Sequence, residues 1–395
     1  MKVLQINATY DLGSTGTIIK DIRECCEKNG IDCYVVYAFS KEKKVEKGYK
    51  IGNWLSNKLH ALLSRIAGKQ AYYSYFPTIA FLKYLDRLRP DVVHLHNLHS
   101  NYINLPLLLK YLAKNDIKTV ITLHDCWWYT GGCFHYTLAG CDKWLKSCGN
   151  CPKRKQDTPA YLCDTSAKIL ADRKKYLLAI PQLTIVGVSE WISNEARKSF
   201  LSKTNVQTIR NGIDLNVFKP TPSDIRERLG LEGKFIILGP ASKWLQSYNK
   251  NALDYFAHNM KPDEVLVLFG VDKTKHPLPS NVMLYGYTQN RQELAELYSC
   301  ADIFVNTTRE DSLALINLEA QACGTPVVTF DATGPKESVD NQCSFSVPAG
   351  NYKELYNVVC RCRNRGLLDA DISFIRNHFN IDDFASSYLY LYPSI

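Results

Sequence analysis

The sequence lacks any stretch near the roughly 18 uninterrupted apolar residues that a membrane-spanning helix needs. It has no internal repeat and no low-complexity segment, which sets aside solenoids and disordered tails. The N-terminal run Met1-Lys2-Val3-Leu4-Gln5-Ile6-Asn7 is too short for the apolar core of a signal peptide, so the protein is expected to stay in the cytoplasm. G-x-G-x-x-G is missing, so a nicotinamide cofactor is not indicated. No Asp-x-Asp pair is placed to hold a divalent cation on a diphosphate, and no cofactor is expected for catalysis. The net charge of +9 comes without an RNA-binding or helix-turn-helix signature, so no nucleic-acid partner is expected.

What is present is a chain of 395 residues, 46% of them hydrophobic, long enough for two domains of ordinary size. Its 14 cysteines, in a chain without an export signal, are expected to be mostly reduced thiols. Cys25, Cys26, Cys300, Cys323, Cys360 and Cys362 lie in apolar, helix-like contexts and read as small buried hydrophobes. The positive charge is uneven. From Lys41 to Pro90, eleven Lys and Arg face three acids, a local excess of +8 that points to an anionic surface or substrate.

Apolar runs alternate with helix-length stretches. Val3–Ile6, Cys33–Tyr37, Asp91–His96, Thr119–Leu123 and Leu183–Val188 read as strands. The series restarts after Pro220 with Phe235–Leu238, Val265–Phe269, Val282–Leu284, Ile303–Val305 and Pro326–Thr329. Near-continuous β-branched runs at this spacing predict parallel sheets covered on both faces, and two series predict two Rossmann-like, doubly wound α/β domains. Asn-Gly and two prolines between Asn211 and Pro222 mark the boundary, dividing residues 1–212 from 213–378.

Open parallel sheets bind ligands at the carboxyl ends of their strands, so functional residues are expected just after them. In Asp11-Leu12-Gly13-Ser14-Thr15-Gly16-Thr17, the residues Gly13, Ser14 and Gly16 let backbone N–H groups face an anion at a helix start; a plain strand-to-helix turn reads the same way. In Arg309-Glu310-Asp311-Ser312-Leu313-Ala314, a helix is predicted from near Ser312, with Glu319 about two turns along it. Free N–H groups there suit a sugar or phosphate oxygen, and carboxylates accept from vicinal hydroxyls. The alternative is an N-cap acid followed by a solvated helix Glu. His94 and His96 share one face of a strand, a spacing that zinc tolerates, although structural or acceptor-side roles fit them and His99 better. His124 follows the next strand. Cys133, Cys141, Cys148 and Cys151 are spaced as four thiolate ligands of a structural zinc, with Cys148-Gly149-Asn150-Cys151 as a C-x2-C knuckle; a reduced cluster or one disulfide would look alike. Trp54, Leu55, Leu59, Leu62, Leu63 and Ile66 form an apolar stripe edged by Lys58, Arg65 and Lys69. It suits either an anionic membrane surface or a core-facing helix.

Asp311 through Val328 resembles the acid–seven residues–Glu signature, followed by Ala-Cys-Gly-Thr-Pro-Val-Val, of the retaining family 4 glycosyltransferases. Asn211-Gly212-Ile213-Asp214-Leu215-Asn216-Val217-Phe218-Lys219-Pro220 resembles that family's interdomain segment. Leu284-Tyr285-Gly286-Tyr287, Ala301–Val305 and Val347–Asn351 match its donor-domain pattern. His94-Leu95-His96-Asn97 and Leu123-His124-Asp125-Cys126-Trp127 are similar to a bacterial subgroup that builds capsular polysaccharide, exopolysaccharide or lipopolysaccharide. The resemblance implies a GT-B fold, two such domains facing across a cleft, with residues 379–395 as a closing helix that packs back on the first. It implies a nucleotide-diphosphate sugar as donor and a glycan or polyprenyl-linked glycan as acceptor; an acceptor on a polyprenyl diphosphate lipid would require peripheral attachment to the inner face of the plasma membrane, which the stripe at Trp54 to Lys69 suits. Glu319 would bind the donor ribose. Asp311, with neighbouring Glu310, would contact the transferred sugar, as would the backbone of Ser312 and Leu313, and His124. Ser242 stands where the family's pyrophosphate-clamping Arg is usual, which leaves Lys243 and Lys250 for the clamp. Gly13, Ser14 and Gly16 would close over the donor. A nucleotide-sugar 2-epimerase of the same fold is the alternative reading.

Overall fold

The computed structural model describes residues 1–157, 159–274, 277–366 and 370–392. It divides into two compact units, Met1–Arg210 together with the chain from Phe384 onward, and Asn211–Asp383. The first holds a seven-stranded sheet of β1 (Lys2–Ile6), β2 (Asp32–Tyr37), β3 (Gly48–Lys50), β4 (Val92–Leu95), β5 (Lys118–Leu123), β6 (Leu183–Gly187) and β7 (Asn205–Thr208). The second holds six strands, β8 (Phe235–Pro240), β9 (Glu264–Phe269), β10 (Val282–Gly286), β11 (Ile303–Asn306), β12 (Val327–Asp331) and β13 (Phe345–Pro348). All pairings in both sheets are parallel. This is the pair of doubly wound α/β domains that the two apolar series predict.

The order in the first sheet is β3-β2-β1-β4-β5-β6-β7, and in the second β10-β9-β8-β11-β12-β13. Each order reverses once, between β1 and β4 and between β8 and β11. At such a switch point, crossovers leave in opposite directions and open a crevice at the strand ends. Central strands are buried on both faces, as their unbroken apolar runs require: every residue of β4 and of β11 is buried. The pattern misses β3, β7 and β13. These have three or four residues each, and β7 alternates exposed and half-buried positions, so none carries the continuous run that marks a central strand.

The core of the second unit is built on Trp244, which is wholly buried against Phe256 and donates its indole N–H to the Val305 carbonyl at 2.9 Å. One buried aromatic thus supplies a large apolar area and ties the loop after β8 to the end of β11. The Ile213 N–H donates to the Phe379 carbonyl at 2.6 Å, and Ile213 bridges to Asn380. Those contacts keep residues 379–383 with the second unit, whereas the sequence reading ends that domain at 378. From Phe384 the helix Ile381–Leu391 belongs to the first unit, where the hydroxyls of Tyr388 and Tyr392 lie 2.8 Å from Thr122 Oγ1 and His94 Nδ1.

Tyr392→Phe removes the partner of a wholly buried imidazole nitrogen. It should cost about 1–3 kcal/mol, read as a lower urea midpoint for the first unit; an unchanged midpoint would remove this bond from the account of the tail's anchoring.

Candidate active site

In the second unit, the chain leaves β8 into a single helical turn, Ala241–Trp244, which carries Lys243. Lys250 opens the next helix, Lys250–Asn259. Asn249 fixes both: its amide donates to the Lys243 carbonyl at 3.0 Å and to the Thr307 carbonyl at 2.8 Å. The two lysines are thereby held beside the end of β11, Lys243 half-buried and Lys250 exposed. A third cation stands there, to which the sequence reading assigns no role. Arg309 donates from Nη2 to the Tyr248 carbonyl at 3.1 Å and packs over the Tyr248 and Phe330 rings. Its only sequence signal is a place directly ahead of Glu310 and Asp311.

The loop after β11 differs from expectation. The helix predicted from Ser312 starts at Leu315 and spans Leu315–Ala322, so Glu319 lies one turn in, not two. The turn after β12 holds Asp311 to Leu313 off the helix. Thr333 Oγ1 accepts from the Asp311 N–H at 3.0 Å and lies 2.8 Å from the Asp311 carbonyl, to which Gly334 N–H donates at 3.0 Å. A Cβ on Gly334 would lie 1.8 Å from the Ser312 carbonyl oxygen, so only glycine lets these two loops touch. Thr333 has φ 48°, a left-handed conformation that costs a β-branched residue about 1–3 kcal/mol and is typical of loops held for function. Neither Thr333 nor Gly334 is singled out in the sequence, because the strain becomes visible only in the backbone angles.

Behind this loop lies a buried amide network. Asn306 Nδ2 donates to Asn317 Oδ1 at 2.8 Å, Asn317 Nδ2 to Ser338 Oγ at 2.8 Å, and Gln321 Nε2 to the Ser338 carbonyl at 2.6 Å. It locks the helix that carries Glu319 to β11 and to the turn after β12. In front, five buried polar atoms have no protein partner among the described residues: Asn249 Oδ1, Thr307 Oγ1, Thr308 Oγ1, Arg309 Nε and Ser312 Oγ. Buried polar groups are normally paired, so these atoms stand out in the loop and helix starts that follow β8 and β11. Leu313 is buried, and Asp311 and Glu310 are half-buried. Glu319 accepts from the Tyr298 hydroxyl at 3.1 Å. Burial pushes its carboxyl up to about 7, against the pull of that bond and of Arg291. No hydrogen bond joins Glu319 to Asp311.

In the first unit, the switch point collects Asn7, His96 and His124. The helix Gly13–Lys28 starts after Leu12 with no side-chain cap and no acid in its first turn, so its first N–H groups are unsatisfied by side chains. Ser14 is exposed. Gly16 is buried where a Cβ would lie 3.0 Å from Thr9 Oγ1 and 3.2 Å from the Asp11 amide nitrogen. His124 is half-buried, next to Asp125, which accepts from the Trp127 N–H at 2.8 Å and pairs with His99 at 3.1 Å. Burial lowers His124 to about 4 and holds His94 and His96 well below the usual range, so all three are neutral at pH 7. The ring nitrogens of His94 and His96 all have protein partners within 3.2 Å, so neither ring has a lone pair left for zinc.

Cys133, Cys141, Cys148 and Cys151 line one small cavity against Trp144 and Lys143. All are free thiols, and burial raises Cys133 to about 12 and Cys148 to about 11. As placed, no three His, Cys, Asp or Glu side chains among the described residues are arranged to hold a metal ion. The helix Trp54–Ala67 turns its polar residues Asn57, His60 and Ser64 inward and its apolar stripe outward. Trp54 and Leu55 are each 68% exposed, Leu59 55% and Leu62 54%. The core-facing alternative is therefore wrong. Among the described residues, no helix is long and apolar enough to cross a membrane.

Residues 15–217 match the model of Glycosyltransferase Family 4, and residues 225–364 match that of Glycosyl transferases group 1. The chain is 23% identical over 351 residues to the putative colanic acid biosynthesis glycosyl transferase WcaC of Escherichia coli K12, covering 85% of each chain. It is 25% identical over 204 residues to the UDP-Gal:alpha-D-GlcNAc-diphosphoundecaprenol alpha-1,3-galactosyltransferase of Escherichia coli, covering 46% of this chain and 51% of that one. Its fold is similar to that of the sucrose-phosphate synthase of Thermosynechococcus elongatus, with a TM-score of 0.72, 16% identity, and 99% and 98% of the two chains covered. Two parallel, doubly wound α/β units, together with these matches, make the protein a glycosyltransferase of the GT-B fold that belongs to glycosyltransferase family 4.

Proposed function

We propose that this glycosyltransferase moves a sugar from a nucleotide diphosphate, with retention of configuration, to a growing bacterial surface polysaccharide held on a polyprenyl diphosphate lipid. The observation that carries the reading is the collection of Lys243, Lys250 and Arg309 in the segments that follow β8 and β11, with Asp311 in the loop after β11 and Glu319 on the helix beyond it. That combination suits a sugar nucleotide, whose hydroxyls, pyrophosphate and ribose need acceptors, cations and a carboxylate in turn. The Escherichia coli galactosyltransferase takes, by its name, a UDP-sugar and a diphosphoundecaprenol-linked acceptor, and the WcaC relative is named for polysaccharide biosynthesis.

The chemistry follows a front-face substitution. The departing phosphate oxygen takes the acceptor's proton as the new glycosidic bond forms on the same face. The three cations offset the charge that grows on the diphosphate, so no metal ion is required. Asp311, with Glu310 beside it, and the Ser312 and Leu313 backbone position the sugar, and His124 contacts it. Glu319 holds the ribose, and Gly13, Ser14 and Gly16 close over the donor. The two acids act as positioning groups and not as the nucleophile and acid of a glycosidase.

Asp311→Ala should depress turnover with the fold intact. Glu319→Ala should mainly weaken UDP binding, by about 1.5–3 kcal/mol for a lost charge-assisted bond. Because the ionised carboxylate is the better acceptor and its proton leaves near pH 7, UDP affinity should rise from pH 6 to pH 8, and Glu319→Gln should flatten that rise. Full activity in both alanine variants would overturn the assignment. Brief EDTA treatment should leave turnover intact; loss restored specifically by Mg²⁺ or Mn²⁺ would refute the metal-free route.

The outward stripe of the Trp54–Ala67 helix, with Lys58 over the Trp54 ring at 3.9 Å, supports peripheral attachment where a lipid-linked acceptor resides. Binding to vesicles with anionic lipid should fall as salt rises, through screening of Lys58, Arg65 and Lys69. Equal partition onto neutral and anionic vesicles would count against it.

A structural zinc at the four-cysteine cavity would have to draw Cys133, Cys141, Cys148 and Cys151 together as thiolates, since as placed they are not arranged to hold it. Protein purified without added metal should carry one zinc per chain, lost with part of its stability in Cys148→Ser/Cys151→Ser. Metal-free protein of equal stability and activity would end the proposal.

A further inference from the structure

Three side chains run in line from the interior of the first unit to His124. Gln5, on β1, is wholly buried, and its amide nitrogen donates to the Ile19 carbonyl at 3.1 Å and to Cys33 Sγ at 3.3 Å. Its Oε1 therefore faces His96, 3.2 Å from Nε2. Rotating the amide would set Oε1 against the Ile19 carbonyl oxygen, an acceptor against an acceptor, so the orientation is determined. An oxygen facing His96 Nε2 requires the hydrogen to be on that nitrogen. His96 is wholly buried and neutral, so its Nδ1 carries a lone pair. That lone pair faces His124 Nε2 at 3.0 Å, which must then bear the hydrogen. His124 is neutral too, which leaves its Nδ1 unprotonated. This last nitrogen has no partner among the described residues and is not among the buried unpartnered atoms, so it faces the open side of the half-buried ring.

We propose that Gln5 and His96 are positioning residues that fix the tautomer of His124, so that its Nδ1 is an obligate hydrogen-bond acceptor and selects a sugar hydroxyl that donates. The inference rests on the reading that His124 contacts the donor sugar. It explains why β1 spends a wholly buried position on a glutamine between Leu4 and Ile6, where an apolar residue would fill the core without needing partners. The Trp128 indole N–H, bonded to the His96 carbonyl at 2.9 Å, and the Asp125–His99 pair beside His124 hold both rings in the same register. The reverse relay needs Nε2 of His96 bare against Gln5 Oε1, two acceptors at 3.2 Å. A doubly protonated His96 would satisfy both neighbours, but burial opposes that charge.

The test is a two-bond ¹H–¹⁵N correlation spectrum of the full chain labelled at histidine. His124 signals are assigned by their loss in His124→Ala. The expected pattern at pH 7 is hydrogen on Nε2 and a bare Nδ1. Gln5→Leu should release the tautomer into a mixture and lower kcat/KM about three- to tenfold, the loss of one neutral hydrogen bond. UDP affinity should be unchanged. Hydrogen on Nδ1 of His124 in the wild-type protein overturns the relay, as does Gln5→Leu with an unaltered His124 pattern. If Gln5→Leu does not fold, the wild-type spectrum alone decides. Full turnover in His124→Ala would instead sink the sugar-contact reading, whatever the tautomer, so the two failures are distinguishable.

Discussion

A parallel sheet covered on both faces leaves its strands no contact with water except at their ends. That constraint governs both units. Every residue of β4 and β11 is buried, so polar groups come nearer to solvent only in the segments that follow them, at Asn97 and His99 in one unit and Arg309 to Asp311 in the other. The strand order reverses beside these same strands, and the diverging crossovers open the crevices. Burial and topology thus favour the strand ends as the place for a ligand before any particular side chain is chosen.

Polar residues that do enter the interior have to be paired, and the pairings act as scaffolding for the sites. In the second unit, the Asn306–Asn317–Ser338–Gln321 network fastens the Glu319 helix from behind, while Thr333 and Gly334 hold Asp311 and Ser312 from the side. In the first, His94 is bonded to Thr122 and Tyr392, and Thr122 to Tyr388, so the tail helix is anchored on the same histidine-bearing strand that leads to the site.

The helix Trp54–Ala67 inverts the usual arrangement. Its inward face is Asn57, His60 and Ser64, with His60 bonded to Ser74 at 2.6 Å, while tryptophan and leucine point outward. Periodicity alone cannot tell an apolar stripe aimed at the core from one aimed away, because both have the same spacing. The basic excess from Lys41 to Pro90 is the additional fact that makes sense of an outward stripe, since cations beside exposed apolar groups suit an anionic, apolar surface.

The sequence by itself determined the fold class, because long β-branched runs have few places to go other than central parallel strands. It also singled out Asp311 and Glu319 after a predicted strand, whereas Lys243 and Lys250 came from the resemblance to the family. Short edge strands escaped it, having no continuous apolar run, and so did the true start of the Leu315 helix, which depends on a loop 22 residues further along the chain reaching back to Asp311. Only the tertiary structure decided which face of the Trp54–Ala67 helix is outside, which cation stands near Lys243 and Lys250, and which side chains face the ring nitrogens of His96 and His124. Each of those is set by partners distant in sequence: Tyr248 for Arg309, and Gln5 and His96 for His124. Spacing records neighbours along the chain, whereas hydrogen-bond direction and exposure are properties of neighbours in space.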